Sequence, residues 1–297
     1  MTTPPTPQAP YQQQAQQYPQ QPPAPQQNWQ GAPAGLYASP IPQRRATLGD
    51  ALASEWTKIR SVRSTMWTLG IMIVLLLGIG LLSAIAVNAS GSELGNTPVL
   101  SLGFFGVLLG SICVITLGVM TIASEYGTGM IRTTLTACPS RGRVLTAKAI
   151  VFFLLTFVIT TVTTALVAVL QTAMLGGVEP TGGDWLRATV GVGLYIATLG
   201  LLSLAVGALI RHSAGAITIM IAVVLLPLVL AMFMFAESLA DVQQALFEYS
   251  IPSQLGAFYD ASVASSGPSG WEPLWIMLGV TAVAMIGAHV SLDRRDV

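Results

Sequence analysis

Long apolar runs, cut by short charged clusters, set the rhythm of this chain. Six long apolar stretches carry no Asp, Glu, Lys or Arg: residues 64–92, 94–124, 149–178, 188–210, 213–236 and 273–292. Each is rich in Leu, Ile, Val, Ala, Gly and Phe. Each is also long enough for a helix of about 20 residues, the length that crosses roughly 30 Å of hydrocarbon. The inner parts lack the polar stripe a surface helix of a soluble domain needs. The pattern predicts an all-α membrane protein with six transmembrane helices, at about 66–87, 99–122, 149–174, 188–210, 214–235 and 273–292.

Between and before these runs the pattern changes. Residues 1–46 hold Pro-Pro pairs and Gln runs such as Gln12, Gln13 and Gln14. Such a segment buries too little apolar area to offset its ordering entropy, so a disordered tail is expected ahead of a membrane domain at 47–297. With no basic start and no apolar core, it does not read as a signal peptide. In Asp50–Arg63, the residues Leu52, Trp56 and Ile59 share a helix face, with Leu48 one turn earlier, while Glu55, Lys58 and Arg63 point elsewhere. An amphipathic helix along the membrane surface is predicted, with Trp56 and Trp67 in the headgroup zone.

The stretch Ser124–Lys148 reads as an elbow. Glu125 and Tyr126 end the second membrane helix, and Gly127 and Gly129 permit a change of direction. A short helical piece follows, with Met130, Ile131 and Leu135 apolar and Arg132 polar. Pro139, Ser140 and Gly142 form a turn, and Arg141, Arg143 and Lys148 lead into the third helix. A compact apolar face flanked by charge suits the docking of another protein. In 236–271, three- or four-residue spacing of Phe235, Leu239, Val242, Leu246 and Tyr249 predicts a short amphipathic helix on the outer ends of the spans.

Charge then fixes the orientation. Only 9% of residues are charged, against about 25% in a typical soluble domain. Thirteen basic and thirteen acidic residues cancel, which argues against a nucleic-acid partner. All the basic residues except Arg187 fall on one side of the six-span topology. Flanking Lys and Arg stay cytoplasmic, so both termini are expected there. Glu93, Glu179, Asp184, Glu237, Asp241, Glu248, Asp260 and Glu272 fall on the other side.

Candidate chemistry is sparse. The two lysines, Lys58 and Lys148, are not part of a phosphate-cradling GxxxxGK[ST] loop, so no direct binding of ATP-Mg is expected. There is no HExxH pair, and Cys113 and Cys138 are too few for a metal or disulfide framework. His212 and His289 read as flanking residues. The string Gly267, Pro268, Ser269, Gly270 matches the GxSG of intramembrane serine proteases. That chemistry needs a nearby histidine, and His289 lies about 20 residues along a helix, some 30 Å away. Ionisable residues are nearly absent from the spans, which disfavours an ion-coupled relay. Gly106 and Gly110 have small-xxx-small spacing, and Pro227 is expected to kink the fifth helix.

The order of parts resembles the membrane subunits of ABC-type exporters of the ABC-2 permease class, particularly the actinobacterial kind. Ser54–Ser61 (SEWTKIRS) before the first span and Glu125–Arg132 (EYGTGMIR) after the second carry the likeness. Pro139, Ser140, Arg141, Lys148, the Ile251–Ser253 loop and the closing Arg294–Val297 add to it. The likeness covers about 47–297. It implies a permease moving an unidentified, amphipathic or apolar substrate across the plasma membrane. A separate cytoplasmic ATPase supplies ATP-Mg, and a second permease chain completes the pore.

It also implies a connecting helix with Glu55, Trp56, Lys58 and Arg60, and a coupling elbow with Glu125, Tyr126, Gly127, Thr128, Arg132 and Arg141. Glu125 and Arg132 would join the charged relay between ATPase and pore. Helices 2 and 5 would line the substrate path, with Phe104, Ser111, Thr116, Thr218 and Pro227 as its candidates. Two rival readings are a lipid-modifying membrane enzyme and an assembly or regulatory protein. The first needs polar catalytic residues clustered at one depth, and no such cluster is evident.

Overall fold

The computed structural model describes residues 46–91, 95, 97–138, 140–176, 179–261 and 266–294. The described residues all lie in one compact unit, 45–297. Expectations about the tail, Arg44, Arg45, Glu93, Pro139 and Arg295 concern residues outside this set.

The described residues are helical, with no strand among them. Helix α1 (Leu48–Ser61) precedes α2 (Arg63–Ser90). A 3-10 turn (Val99–Gly103) leads into α3 (Phe104–Gly127), followed by the short α4 (Met130–Ala137) and the long α5 (Arg141–Met174). Next, α6 (Gly182–Leu186) runs through a π-helical turn (Arg187–Gly191) into α7 (Val192–Ile210), and α8 (Ser213–Met232) follows. Two short helices, α9 (Ala240–Glu248) and α10 (Ile251–Ala257), precede α11 (Glu272–Arg294).

Among the described residues, six helices are long and apolar enough to cross a membrane: Arg63–Ser90, Val99–Gly127, Arg141–Met174, Gly182–Ile210, Ser213–Met232 and Glu272–Arg294. They are called spans 1 to 6. Alternation gives the bundle two ends. The elbow end carries α1, α4 and the short link between spans 4 and 5. The loop end carries α9 and α10.

Span 4 is the hub, with 72% of its most apolar window buried, against 22% for spans 1, 5 and 6. Its approach to span 2 depends on missing side chains. A Cβ on Gly118 would stand 2.5 Å from the Gly200 carbonyl, and one on Gly200 would stand 2.9 Å from Val114 Cγ1. Gly106 and Gly110, the predicted small-residue pair, face Leu76 of span 1 in the same way. Close backbone approach maximises dispersion contacts where hydrophobic driving force is absent.

Several boundaries differ from the pattern-based reading. Span 3 begins at Arg141 rather than 149, so the elbow shrinks and Lys148 becomes a helical residue. A charge interrupts an apolar run in hydropathy but does not end a helix that buries it against opposite charge. Span 5 stops at Met232 and runs through Pro227. The amphipathic segment at the loop end forms α9, which rests on the end of α8, where Gln243 donates to the Ala231 carbonyl, while Phe235, Val242 and Tyr249 remain exposed. Ile251–Ser253, read as part of a loop, starts a buried helix whose N-cap Ser250 accepts from Ser253 N. Ser269 is exposed at the start of α11 and His289 bonds to Met285, so the GxSG string is a turn.

Candidate functional site

At the elbow end, four charges close into a ring. Glu55 comes from α1, Lys58 from one turn later, Glu125 from the end of span 2 and Lys148 from the second turn of span 3. Lys148 Nζ donates to Glu55 Oε2 at 2.8 Å and Glu125 Oε1 at 2.5 Å. Lys58 Nζ donates to Glu55 Oε1 at 2.8 Å and Glu125 Oε1 at 3.0 Å. The third proton of Lys148 faces the Thr121 carbonyl, and that of Lys58 faces Thr134 Oγ1 of α4. Thr134 in turn donates to Glu125 Oε2.

Burial makes this ring unusual. Lys148 is 1% exposed, and Glu55 and Glu125 are 5% exposed. Desolvating an ion costs several kcal/mol, roughly, unless geometry and hydrogen bonds compensate. Here the two positive and two negative charges cancel, and every ammonium proton has an acceptor. Burial pulls the Lys58 ammonium down, but its hydrogen bonds and attraction to Glu55 and Glu125 outweigh that, leaving its pKa raised.

The ring is held by local structure. Thr47 and Asp50 form a reciprocal capping box that starts α1, and Arg143 of span 3 donates to the Ala46 carbonyl at 2.5 Å. Gly129 at φ 72° turns the chain from span 2 into α4. The ring thus ties α1, span 2, α4 and span 3 at one point. Beside it opens a cavity of about 200 Å³, walled by Ile59, Val62, Leu117 and Met120.

The predicted residues divide clearly. Glu55, Lys58 and Glu125 meet in the ring. Trp56 and Arg60 are exposed, while Ile59 of the predicted apolar face is buried beside Glu55. On α4, Ile131 packs inward while Met130, Arg132 and Thr133 are exposed. Tyr126 lies under the Arg211 guanidinium, 4.9 Å from its ring centroid, and Arg141 donates to the Leu292 carbonyl at 2.7 Å. Gly127 and Thr128 close span 2, where the Thr128 hydroxyl donates to Ser124 O.

The substrate-path candidates are dispersed. Phe104 packs edge-on against Tyr259 at the loop end. Ser111 is buried and Thr116 partly buried, each donating to its own helix, while Thr218 is exposed and Pro227 is half-buried. Sequence reasoning missed Lys148 and Thr134. The signal for Lys148 was present: Val144, Leu145, Val151 and Phe152, its helix-face neighbours at three and four residues, are all apolar.

The family profile of ABC-2 family transporter proteins matches residues 8–297. The chain belongs to this family. The match reaches further toward the N-terminus than the motifs alone indicated. No curated protein matches the chain. An ABC-2 permease is the membrane part of an ABC transporter, and the family implies an ABC ATPase partner. In this permease the residues that carried the resemblance at the first and second spans contribute three of the four ring charges.

Proposed function

We propose that this ABC-2 permease is the membrane subunit of an exporter whose separate ATPase docks on α4 from the cytoplasm. Both termini lie on that side of the plasma membrane. The observation that carries this reading is the buried charge ring. It joins the exposed elbow to two spans and to α1, so a push on α4 moves them together rather than bending a loop. The exposed Met130, Arg132 and Thr133 supply the docking face.

Two copies pair to complete the pore. Span 5 supports this with an exposed apolar stripe, Ile219, Val223, Leu226 and Leu230, beside the proposed path through spans 2 and 5. Phe104, Ser111, Thr116, Thr218 and Pro227 are the proposed path residues, and their lack of charge, hydroxyls beside apolar groups, suits an amphipathic or apolar cargo. ATP-Mg binds the partner.

Affinity purification of the tagged full chain from native membranes in mild detergent tests this. A P-loop ATPase is expected in near-stoichiometric amount, and its absence overturns the reading. Substituting Arg132→Glu and Met130→Asp on the docking face should release that ATPase while leaving the permease folded.

A further inference from the structure

The junction between α1 and span 1 has an unoccupied chemistry of its own. The cavity beside the ring is lined there by Val62, Ser64 and Thr65. One turn further along span 1 lies an apolar groove of about 410 Å³, formed by Met66, Trp67, Gly70, Ile71, Val74 and Leu75. Ser64 and Trp67 are three residues apart, so the polar and apolar spaces follow one another on the same helix face. Gly70 leaves a notch: a Cβ there meets nothing within 4 Å.

Charge at this junction is positive. Arg60 and Arg63 are both exposed, and the Lys58 side chain keeps 28% of its surface open. Glu55 and Glu125 are both committed to the ring, which is neutral as a whole. The nearest other acid on α1 is Asp50, bound to Thr47 more than two turns away. Trp56 and Trp67, 45% and 74% exposed, mark the depth of the headgroups.

A cavity rim carrying Ser64, Thr65 and Lys58, with exposed Arg60 and Arg63 nearby and an apolar groove continuing along the same helix, complements one molecule: a phosphate ester with an acyl chain. We propose that this junction binds an anionic phospholipid. Its phosphate lies at Arg63, Ser64 and Thr65 within reach of Lys58, and one acyl chain lies in the groove at Gly70. Basic residues near a membrane attract anionic lipids generally. The groove adds a fixed position, and Lys58 adds a consequence. A phosphate that recruits the Lys58 ammonium weakens its hold on Glu125, so lipid charge tunes the ring. This inference does not depend on an ATPase partner.

Native mass spectrometry of the full chain, extracted from nanodiscs of equal phosphatidylglycerol and phosphatidylcholine, provides the test. The wild type should retain phosphatidylglycerol at least threefold over phosphatidylcholine. The double variant R60Q/R63Q should lose that preference. Gly70→Leu, which fills the notch without a clash, should lower retention of both lipids at least threefold. Equal retention of the two lipids by the wild type, retention of neither, or unchanged retention by Gly70→Leu overturns the proposal. Should Gly70→Leu fail to fold, the arginine variant alone still decides, because its fold rests on no contact of those exposed side chains.

Discussion

The two ends of this permease each hold an ionic cluster, built from the same chemistry and worth very different amounts. At the loop end, Arg187 donates to Asp184 Oδ1 at 2.6 Å and to both oxygens of Asp260, at 3.0 and 2.7 Å. The geometry is bidentate and close to ideal. Yet Asp260 is 48% exposed and Asp184 31% exposed, so water competes for every contact. At the elbow end, Lys148 is nearly inaccessible and the distances are no better. Burial, not distance, separates a surface ornament from a structural joint.

The comparison breaks most sharply at Lys148. Lys148→Met leaves two buried carboxylates facing one lysine. A loss of about 3–5 kcal/mol is expected, read as thermal inactivation or detergent-induced unfolding. Glu125→Gln comes next, because Glu125 serves both lysines and Thr134. Combining it with Lys148→Met should cost clearly less than the sum of the singles, since removing opposite charges together leaves neither stranded. Additive losses would show that the ring does not act as a unit.

Lys58 sharpens the contrast through pH. Its folded pKa is raised, so its stabilisation is complete below the ordinary value of 10.5 and is lost as pH rises through the raised value. Unfolding followed from pH 9 upward should show an alkaline loss that shrinks in Lys58→Gln. The smallest effect belongs to the loop end. Arg187→Gln should cost about 0–1 kcal/mol, and that cost should fall further at high salt. A salt-independent loss as large as that of Lys148→Met would erase the distinction between the two ends.

Much of this architecture was legible in the order of residues. Uncharged runs marked all six spans, because a charge inside hydrocarbon is too costly to scatter. The same rule hid the ring. Lys148 read as the last basic residue of a loop, although its neighbours at three and four residues were apolar. Glu55 was seen to point away from Trp56, but nothing local told whether that direction was water or protein. Ring formation joins residues up to 93 positions apart, and such pairing leaves no local period to read. How much of α9's apolar side stays exposed was hidden for a similar reason. Its spacing announced a helix face, but whether the chain covers that face depends on how α8 and α10 are placed.

The central claim is that the ring transmits movement from the elbow to the spans. It is tested most directly by spin-label distance measurement between Ser140, exposed in the elbow outside the docking face, and Val242 on α9, with the partner ATPase bound and Cys113 and Cys138 replaced. In the wild type, the distance distribution should shift when ATP is added. In Glu125→Gln that shift should vanish while the ATPase stays bound and keeps hydrolysing ATP. An equal shift in the variant would contradict the account.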